Sequence, residues 1–219
     1  MEGIGATSGA ANPARGAANA PRFRASASRE HLLVRDLRAE RVVCACSLLP
    51  PAIVETAGGY DAERIFDLAM LDVLRSRMVE LGGPRIDRGY RTGAILQHLG
   101  SSLARYLVEH GYDYVMASVE IPLADGGHAA ASAYRCVSEA HISPEDLRAI
   151  PRQRLPLEAL RSFLPHDPPA LLRAWLDLGA WVCGEPAIDP AFDRAAIPLL
   201  LPLARMRGRY AREFLARAA

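Results

Sequence analysis

The sequence predicts an α/β fold in which a mixed central sheet is flanked by helices, and three consecutive stretches carry that prediction. Met78, Val79 and Leu81, with Glu80 between them, suit a buried strand that Gly82, Gly83 and Pro84 bring to an end. From Ile95 the apolar period becomes that of a helix: Leu96, Leu99, Leu103 and Leu107 recur at intervals of three and four until Gly111 supplies a stop. Residues 112–119 then read as a second β-rich run. Strand, glycine turn, helix and strand in that order form the centre of an α/β domain around which the other elements are arranged.

At 219 residues, 50% hydrophobic and 23% charged, the chain is long enough to bury a core and fits one main domain. A net charge of +1 argues against bulk nucleic-acid binding. All 26 basic residues are arginine, and Arg205, Arg207, Arg209, Arg212 and Arg217 crowd the last segment against Glu213 alone. A solvated helix end explains that crowding more simply than a dedicated basic patch. Cys44, Cys46, Cys136 and Cys183 lack paired metal-ligand spacing, so no metal site is expected and free buried thiols are. No run approaches the ~20 apolar residues that span a bilayer.

Taken in order, residues 1–28 hold almost no large apolar side chain and read as a disordered low-complexity leader, leaving 29–219 as the folded domain. Residues 31–36 and 41–49 are two β-like runs joined as a hairpin and closed by Pro50 and Pro51. Ile65, Leu68 and Leu71 recur at helix-like spacing across 61–71. After the 112–119 strand, residues 122–127 form a loop and 129–140 a helix. Ser143 and Pro144 open a short helical turn, and 148–156 is a proline-punctuated connector. Ala170–Leu178 is a compact helix halted at Gly179. Late strands follow at 180–184 and 196–201, the second at a sheet edge because Pro198 cannot donate to a ladder.

Two features of this layout bear chemistry. The turn Arg91-Thr92-Gly93-Ala94-Ile95 opens the central helix, where free backbone N–H groups and the positive end of the helix dipole suit a phosphate; an ordinary tight turn has the same letters. Glu80 is a carboxylate on a core strand, which fits a general base and a structural ion pair with an arginine about equally. Tyr106, Tyr112 and Tyr114 suit packing with an anchored hydroxyl better than acid catalysis, and His128 and His141 sit without a partner in sequence.

These residues also carry a resemblance. Glu80-Leu81-Gly82, Tyr90-Arg91-Thr92-Gly93-Ala94-Ile95, Leu103-Ala104-Arg105-Tyr106 and Gly111-Tyr112-Asp113-Tyr114 resemble the ornithine N-acyltransferase, or hemolysin-like acyltransferase, branch of the GNAT fold, which is related to the acyl-homoserine-lactone synthases. Ala133-Tyr134-Arg135, Arg154-Leu155-Pro156-Leu157, residues 179–187 and Arg209-Tyr210-Ala211-Arg212 extend the match from about residue 30 to the C-terminus. No single motif is decisive, but their order and spacing together are fairly specific.

The resemblance implies transfer of a fatty acyl group from acyl carrier protein to the α-amino group of L-ornithine, the first step toward ornithine lipids. It implies no resident cofactor, since the donor brings its own phosphopantetheine. Residues Arg91, Thr92, Gly93, Ala94 and Ile95 would hold that phosphate and Glu80 would act as base. A cytoplasmic location is implied, with peripheral contact to the inner membrane as an extension and no nucleic-acid partner. The sequence departs from the pattern in five places, one being Asp87-Arg88-Gly89-Tyr90-Arg91 where a His-Pro-Asp-Tyr-Arg run is expected. The N-terminal part of the fold looks missing or degenerate, which would leave the 31–49 hairpin with an uncovered edge; Ser47 and Gly83 stand where arginines are expected; and Trp181 stands where lysine is commoner. Those departures keep two other readings open: a non-catalytic homologue that binds acyl carrier protein or a membrane surface, and an acyl-homoserine-lactone synthase.

Overall fold

The structure is a computed structural model describing residues 4–8, 29–90, 93–160 and 167–206. Three antiparallel strands open it: β1 (Ile4–Ser8), β2 (Glu30–Asp36) and β3 (Arg41–Leu49). Next come α1 (Pro51–Ala57), two 3-10 segments (Asp61–Arg64 and Ala69–Arg77) flanking β4 (Phe66–Asp67), then β5 (Met78–Leu81) and β6 (Arg85–Ile86). The second half holds α2 (Gly93–His110), β7 (Tyr114–Pro122), α3 (His128–His141), β8 (Ile150–Pro151), α4 (Ala170–Leu178), β9 (Trp181–Val182), β10 (Ala187–Asp189) and β11 (Arg194–Pro202). The main sheet runs β1-β2-β3-β5-β7-β11-β10, with β6 beside β3 and β9 beside β11. β5 and β7 are parallel, with α2 as the crossover between them; the other pairings of this sheet are antiparallel.

Strand alternation divides the core into two layers. Val79 and Leu81 of β5, Val115, Ala117 and Val119 of β7, and Ile197, Leu199 and Leu201 of β11 face the layer that holds α2, α3 and α4. Met78, Met116, Ala196 and Leu200, one residue out of phase, face α1 and the 3-10 segments. Ile95, Leu99, Leu103 and Leu107 form the buried stripe of α2 anticipated from their spacing, each worth roughly 2 kcal/mol of burial. Cys44 and Cys46 lie in the same layer, where burial pushes the Cys44 thiol up to about 11; Cys183 is also buried, whereas Cys136 is exposed. Among the described residues no helix is long and apolar enough to cross a membrane.

The hairpin, β5, α2, β7, α3 and α4 fall where the sequence puts them. Other features differ. Ile4–Ser8 is a strand in full register with β2, from Ile4 opposite Asp36 to Ser8 opposite Leu32, so the hairpin edge expected to lie bare is paired. Residues 1–3 and 9–28 of the expected leader lie outside the described residues. Pro51, read as closing the hairpin, starts α1 at the helix position where its missing N–H costs nothing.

The expected helix over 61–71 is instead a 3-10 turn, β4 and part of a second 3-10 segment. Its backbone groups are claimed from elsewhere: Arg152 N–H donates to the Ile65 carbonyl at 2.9 Å, and Phe66 and Asp67 pair with Pro151 and Ile150. Residues 143–147 make one turn, closed by Leu147 N–H to the Pro144 carbonyl at 3.1 Å, without becoming a helix.

β11 is not an edge strand, since β7 lies on one side of it and β9 and β10 on the other. Pro198 is tolerated because it falls at the break between those two short strands: β9 pairs at Leu199 and Leu200, β10 at Arg194–Ala196. Its carbonyl still accepts the Cys183 N–H at 3.0 Å. Gly184 follows inside that break, and a Cβ there would stand 2.1 Å from the Ala149 carbonyl oxygen. Gly184→Ala is therefore expected to destabilise the fold by about 1–3 kcal/mol, whereas Gly83→Ala, with nothing within 4 Å of the added carbon, should stay within about 0.5 kcal/mol of the parent. Urea unfolding of the two variants against the parent checks both.

Candidate active site

β5 is four buried residues, and its alternation sends Glu80 toward α1 and the 3-10 segments while Leu81 faces α2. In register Glu80 lies between Leu49 of β3 and Met116 of β7, both apolar. A carboxylate there must find donors, and it takes two backbone ones: Asp61 N–H donates to Oε2 at 2.7 Å and Ala62 N–H to Oε1 at 2.9 Å. Glu80 thus caps the 3-10 turn at Asp61–Arg64. The same turn is braced by Tyr60, whose N–H donates to Glu63 at 2.7 Å and whose hydroxyl donates to the Met78 carbonyl at 2.8 Å.

The structural partner of Glu80 is therefore a pair of amides rather than an arginine. The nearest guanidinium, Arg29, is bound to Asp61 in a two-point ion pair, one contact at 2.6 Å, and influences Glu80 only through its charge. Burial raises the Glu80 carboxyl, and the negative Asp61 adds to the rise; the two amides and Arg29 oppose it, and the balance is a pKa of about 7.

One residue beyond Glu80 the sheet parts. β5 and β7 run together from Met78 opposite Tyr114 to Leu81 opposite Ala117. Gly82 then stays with β3, its N–H donating to the Ser47 carbonyl at 2.9 Å, while β7 continues through Pro122 alongside β11. Across from Glu80, on the other face of the sheet, a cleft of about 240 Å³ lies between α2 and α4, lined by Leu81, Pro84, Leu96, Leu99, Trp175 and Leu178 among others.

Of the phosphate turn, Arg91 and Thr92 lie outside the described residues. Gly93 is the first residue of α2, so the amides of Gly93, Ala94 and Ile95 have no acceptor within the helix; the Ile95 side chain is buried in the core. Arg85 and Arg88, not singled out in the sequence, are exposed on the loop leading to this turn, and among the described residues neither has an acidic partner. Tyr90 is anchored at the base of the loop, its hydroxyl donating to Asp36 at 2.6 Å.

The tyrosines weighed as acids are engaged elsewhere. Tyr106 donates to Glu30 at 2.8 Å and packs on His110 and Tyr112 at the C-terminal end of α2, and Tyr114 pairs with Met78 at the far end of β5 from the parting. His128 and His141 are the first and last residues of α3. The capping amides at 61 and 62 and the contribution of α4 to the cleft were not legible in sequence, because each is a contact between segments 18 or more residues apart with no residue type peculiar to it.

The buried carboxyl gives stability a pH dependence. An exposed glutamate releases its proton near 4.5, whereas Glu80 keeps its own to about 7, so between those values the folded state binds the extra proton. The resulting stabilisation is whole below pH 4.5 and is lost as pH rises through 7, about 3 kcal/mol for a shift of this size. Unfolding free energies from urea titrations should be higher at pH 5 than at pH 8 by close to that amount in the parent, and Glu80→Gln should remove most of the difference.

Comparison with known proteins follows the same lines. The family model described as an acetyltransferase (GNAT) domain matches residues 11–101, a span that includes the hairpin, β5 and the start of α2. The L-ornithine N(alpha)-acyltransferase of Rhodobacter capsulatus is 29% identical, covering 81% of this chain and 70% of that protein. Its namesake from Rhizobium meliloti is 28% identical, covering 83% of this chain and 66% of that protein, so the chain spans about two thirds of the length of these relatives. Among solved structures, a CoA-dependent acyl-homoserine lactone synthase aligns at a TM-score of 0.40 and 12% identity, covering 88% of this chain and 65% of that one. The chain is thus similar to an acetyltransferase (GNAT) domain over residues 11–101 and, over most of its length, to the L-ornithine N(alpha)-acyltransferases.

Proposed function

We propose that the chain moves a fatty acyl group from the phosphopantetheine thioester of acyl carrier protein to the α-amino group of L-ornithine, giving the lyso precursor of ornithine lipids. The observation that carries this reading is the parting of β5 and β7 one residue after Glu80, which leaves a carboxyl of pKa about 7 beside a gap in the sheet. Ornithine as acceptor is supported by the names of the relatives. An acidic carrier as donor is supported by Arg85 and Arg88, exposed in the segment before α2 and without an acidic partner among the described residues.

In this reading the phosphate of the donor arm rests on the backbone amides of the turn from Arg91 and Thr92 to Gly93, Ala94 and Ile95, with Arg91 adding charge, and the arm enters the gap. An amine with a pKa of about 8 to 10 arrives protonated. Glu80, with only two of its roughly four lone-pair sites used by amides, accepts one ammonium proton directly or through a water. The freed lone pair attacks the thioester carbonyl carbon, the C–S bond breaks, and the thiolate takes the second proton released by nitrogen. The products are an amide and the free thiol of the carrier, and the proton on Glu80 returns to solvent.

A second reading, a homologue that binds the carrier without transferring, has one observation in its favour: both Glu80 oxygens already have a structural task. Incubating the purified chain with fatty acyl carrier thioester and L-ornithine, with mass spectrometry of the products, separates the two. N-acylornithine is expected, at a rate that rises with pH through about 7 as Glu80 ionises; Glu80→Gln should lower kcat by roughly 10²–10⁴ and flatten that rise. Carrier binding without product assigns the second reading, and acyl-homoserine lactone in producing cells assigns a lactone synthase instead. For the phosphate turn, Gly93→Val should raise the donor KM while leaving the melting temperature near that of the parent; an unchanged KM removes the turn from the site.

A further inference from the structure

The cleft between α2 and α4 is built from groups that a soluble helix pair ordinarily brings together until they touch. Leu96, Leu171 and Leu178 are only partly buried, although they face one another across it. Two small residues line it, Gly100 on α2 and Ala174 on α4. Gly100 sits in the interior of an 18-residue helix, where glycine costs about 1 kcal/mol relative to alanine. Its missing side chain leaves room for Leu178, which would lie 3.4 Å from a Cβ. The polar lining residues, Gln97 and Asp177, are both exposed, so the polar groups belong to the rim and the interior is aliphatic, with Trp175 buried in the wall.

We propose that this cleft holds the aliphatic chain of the acyl donor and that Ala174 sets how much chain it takes, an inference that rests on the acyl-transfer reading above. Position favours this occupant. The cleft touches Leu81, the last residue of β5 to pair with β7, and Pro84, two residues after the strand turns away. A thioester seated in the gap therefore has its acyl side next to an apolar channel on the face opposite Glu80, while the amine arrives from the Glu80 face. From Leu96 to Leu103 the channel follows α2 for about 10 Å. Each methylene buried there is worth about a fourfold gain in affinity, so the walls translate directly into chain-length preference.

The test uses two readouts on the full chain. In the first, kcat/KM is measured against a ladder of acyl carrier thioesters of increasing length. Ala174→Leu is expected to shift the optimum toward shorter chains and to lower the efficiency with the longest donors at least tenfold relative to the shortest. Arg173→Leu, on the exposed side of α4 and outside the cleft, should keep the parental profile. In the second, Trp181→Phe leaves Trp175 as the only tryptophan, and its fluorescence is followed with a brominated fatty acyl-pantetheine. Quenching is expected, and Ala174→Leu in that background should weaken it. An unshifted profile in a stably folded Ala174→Leu protein, or no quenching of Trp175, overturns the inference. Absence of N-acylornithine with intact, Ala174-sensitive quenching instead overturns the acyl-transfer reading and leaves the chain-binding cleft standing.

Discussion

The contact on which the site depends is the pair of backbone amides, Asp61 N–H and Ala62 N–H, that hold the Glu80 carboxyl. Without them a carboxyl between Leu49 and Met116 has no protein donor at hydrogen-bond distance, and a group so deprived costs a few kcal/mol or stays protonated. With them, the turn at 61–64 is fastened to the middle of the sheet. The second core layer follows from that anchor. Tyr60 reaches back to the Met78 carbonyl, Arg29 clasps Asp61 from the start of β2, and Arg75 stacks on Tyr60 while pairing with Glu63. The anchor is also incomplete as neutralisation: two amide dipoles and a guanidinium bound to another carboxylate do not offset burial, so the proton is held to about pH 7.

The parting of β5 and β7 divides the labour between the two faces of the sheet. The residue before it, Glu80, belongs to the polar-anchored layer; the residue at it, Leu81, belongs to the aliphatic layer with α2 and α4. Because strand alternation has a period of two, no single side chain serves both faces, and adjacent positions of one strand supply opposite environments within a few ångströms. A reaction joining a polar amine to an apolar acyl group needs that adjacency. The parallel pairing of β5 and β7 contributes as well: it requires a crossover, and the crossover α2 brings its N-terminus and its apolar stripe to the end of the sheet where the strands diverge.

Elements with a strong local period were legible in the sequence. The stripe of α2, the hairpin of β2 and β3, and the stop of α4 at Gly179 rest on patterns that nearby residues decide for themselves. The segment 61–71 was misread because Ile65, Leu68 and Leu71 do form a buried face, but through 3-10 turns whose carbonyls and amides answer to Arg152, Pro151 and Glu80 rather than to one another. Pro198 was misread for a related reason. Proline excludes a donor from a ladder only where a partner asks for one, and the gap between β9 and β10 means that none does. Of the candidate site, Glu80 and the turn before α2 can be singled out from residue type and position, whereas the amide partners of Glu80 and the α4 wall depend on contacts that only the folded chain defines.

The departures from the acyltransferase pattern take on a physical meaning in this setting. Ser47 shares the Glu80 face, two residues from Leu49, the register partner of Glu80, and its Oγ fills the space a Cβ on Gly82 would occupy, 2.2 Å away. An arginine at 47 would project along that face toward the carboxyl, and an opposite charge within ~4–6 Å lowers a carboxyl pKa by about 1–3 units. Serine at 47 withholds that charge, whereas Gly83, an odd number of residues past Glu80 and exposed, does not share the face. With serine rather than a cation at 47, burial and the negative Asp61 outweigh the two amides and Arg29 and hold the Glu80 carboxyl at about 7.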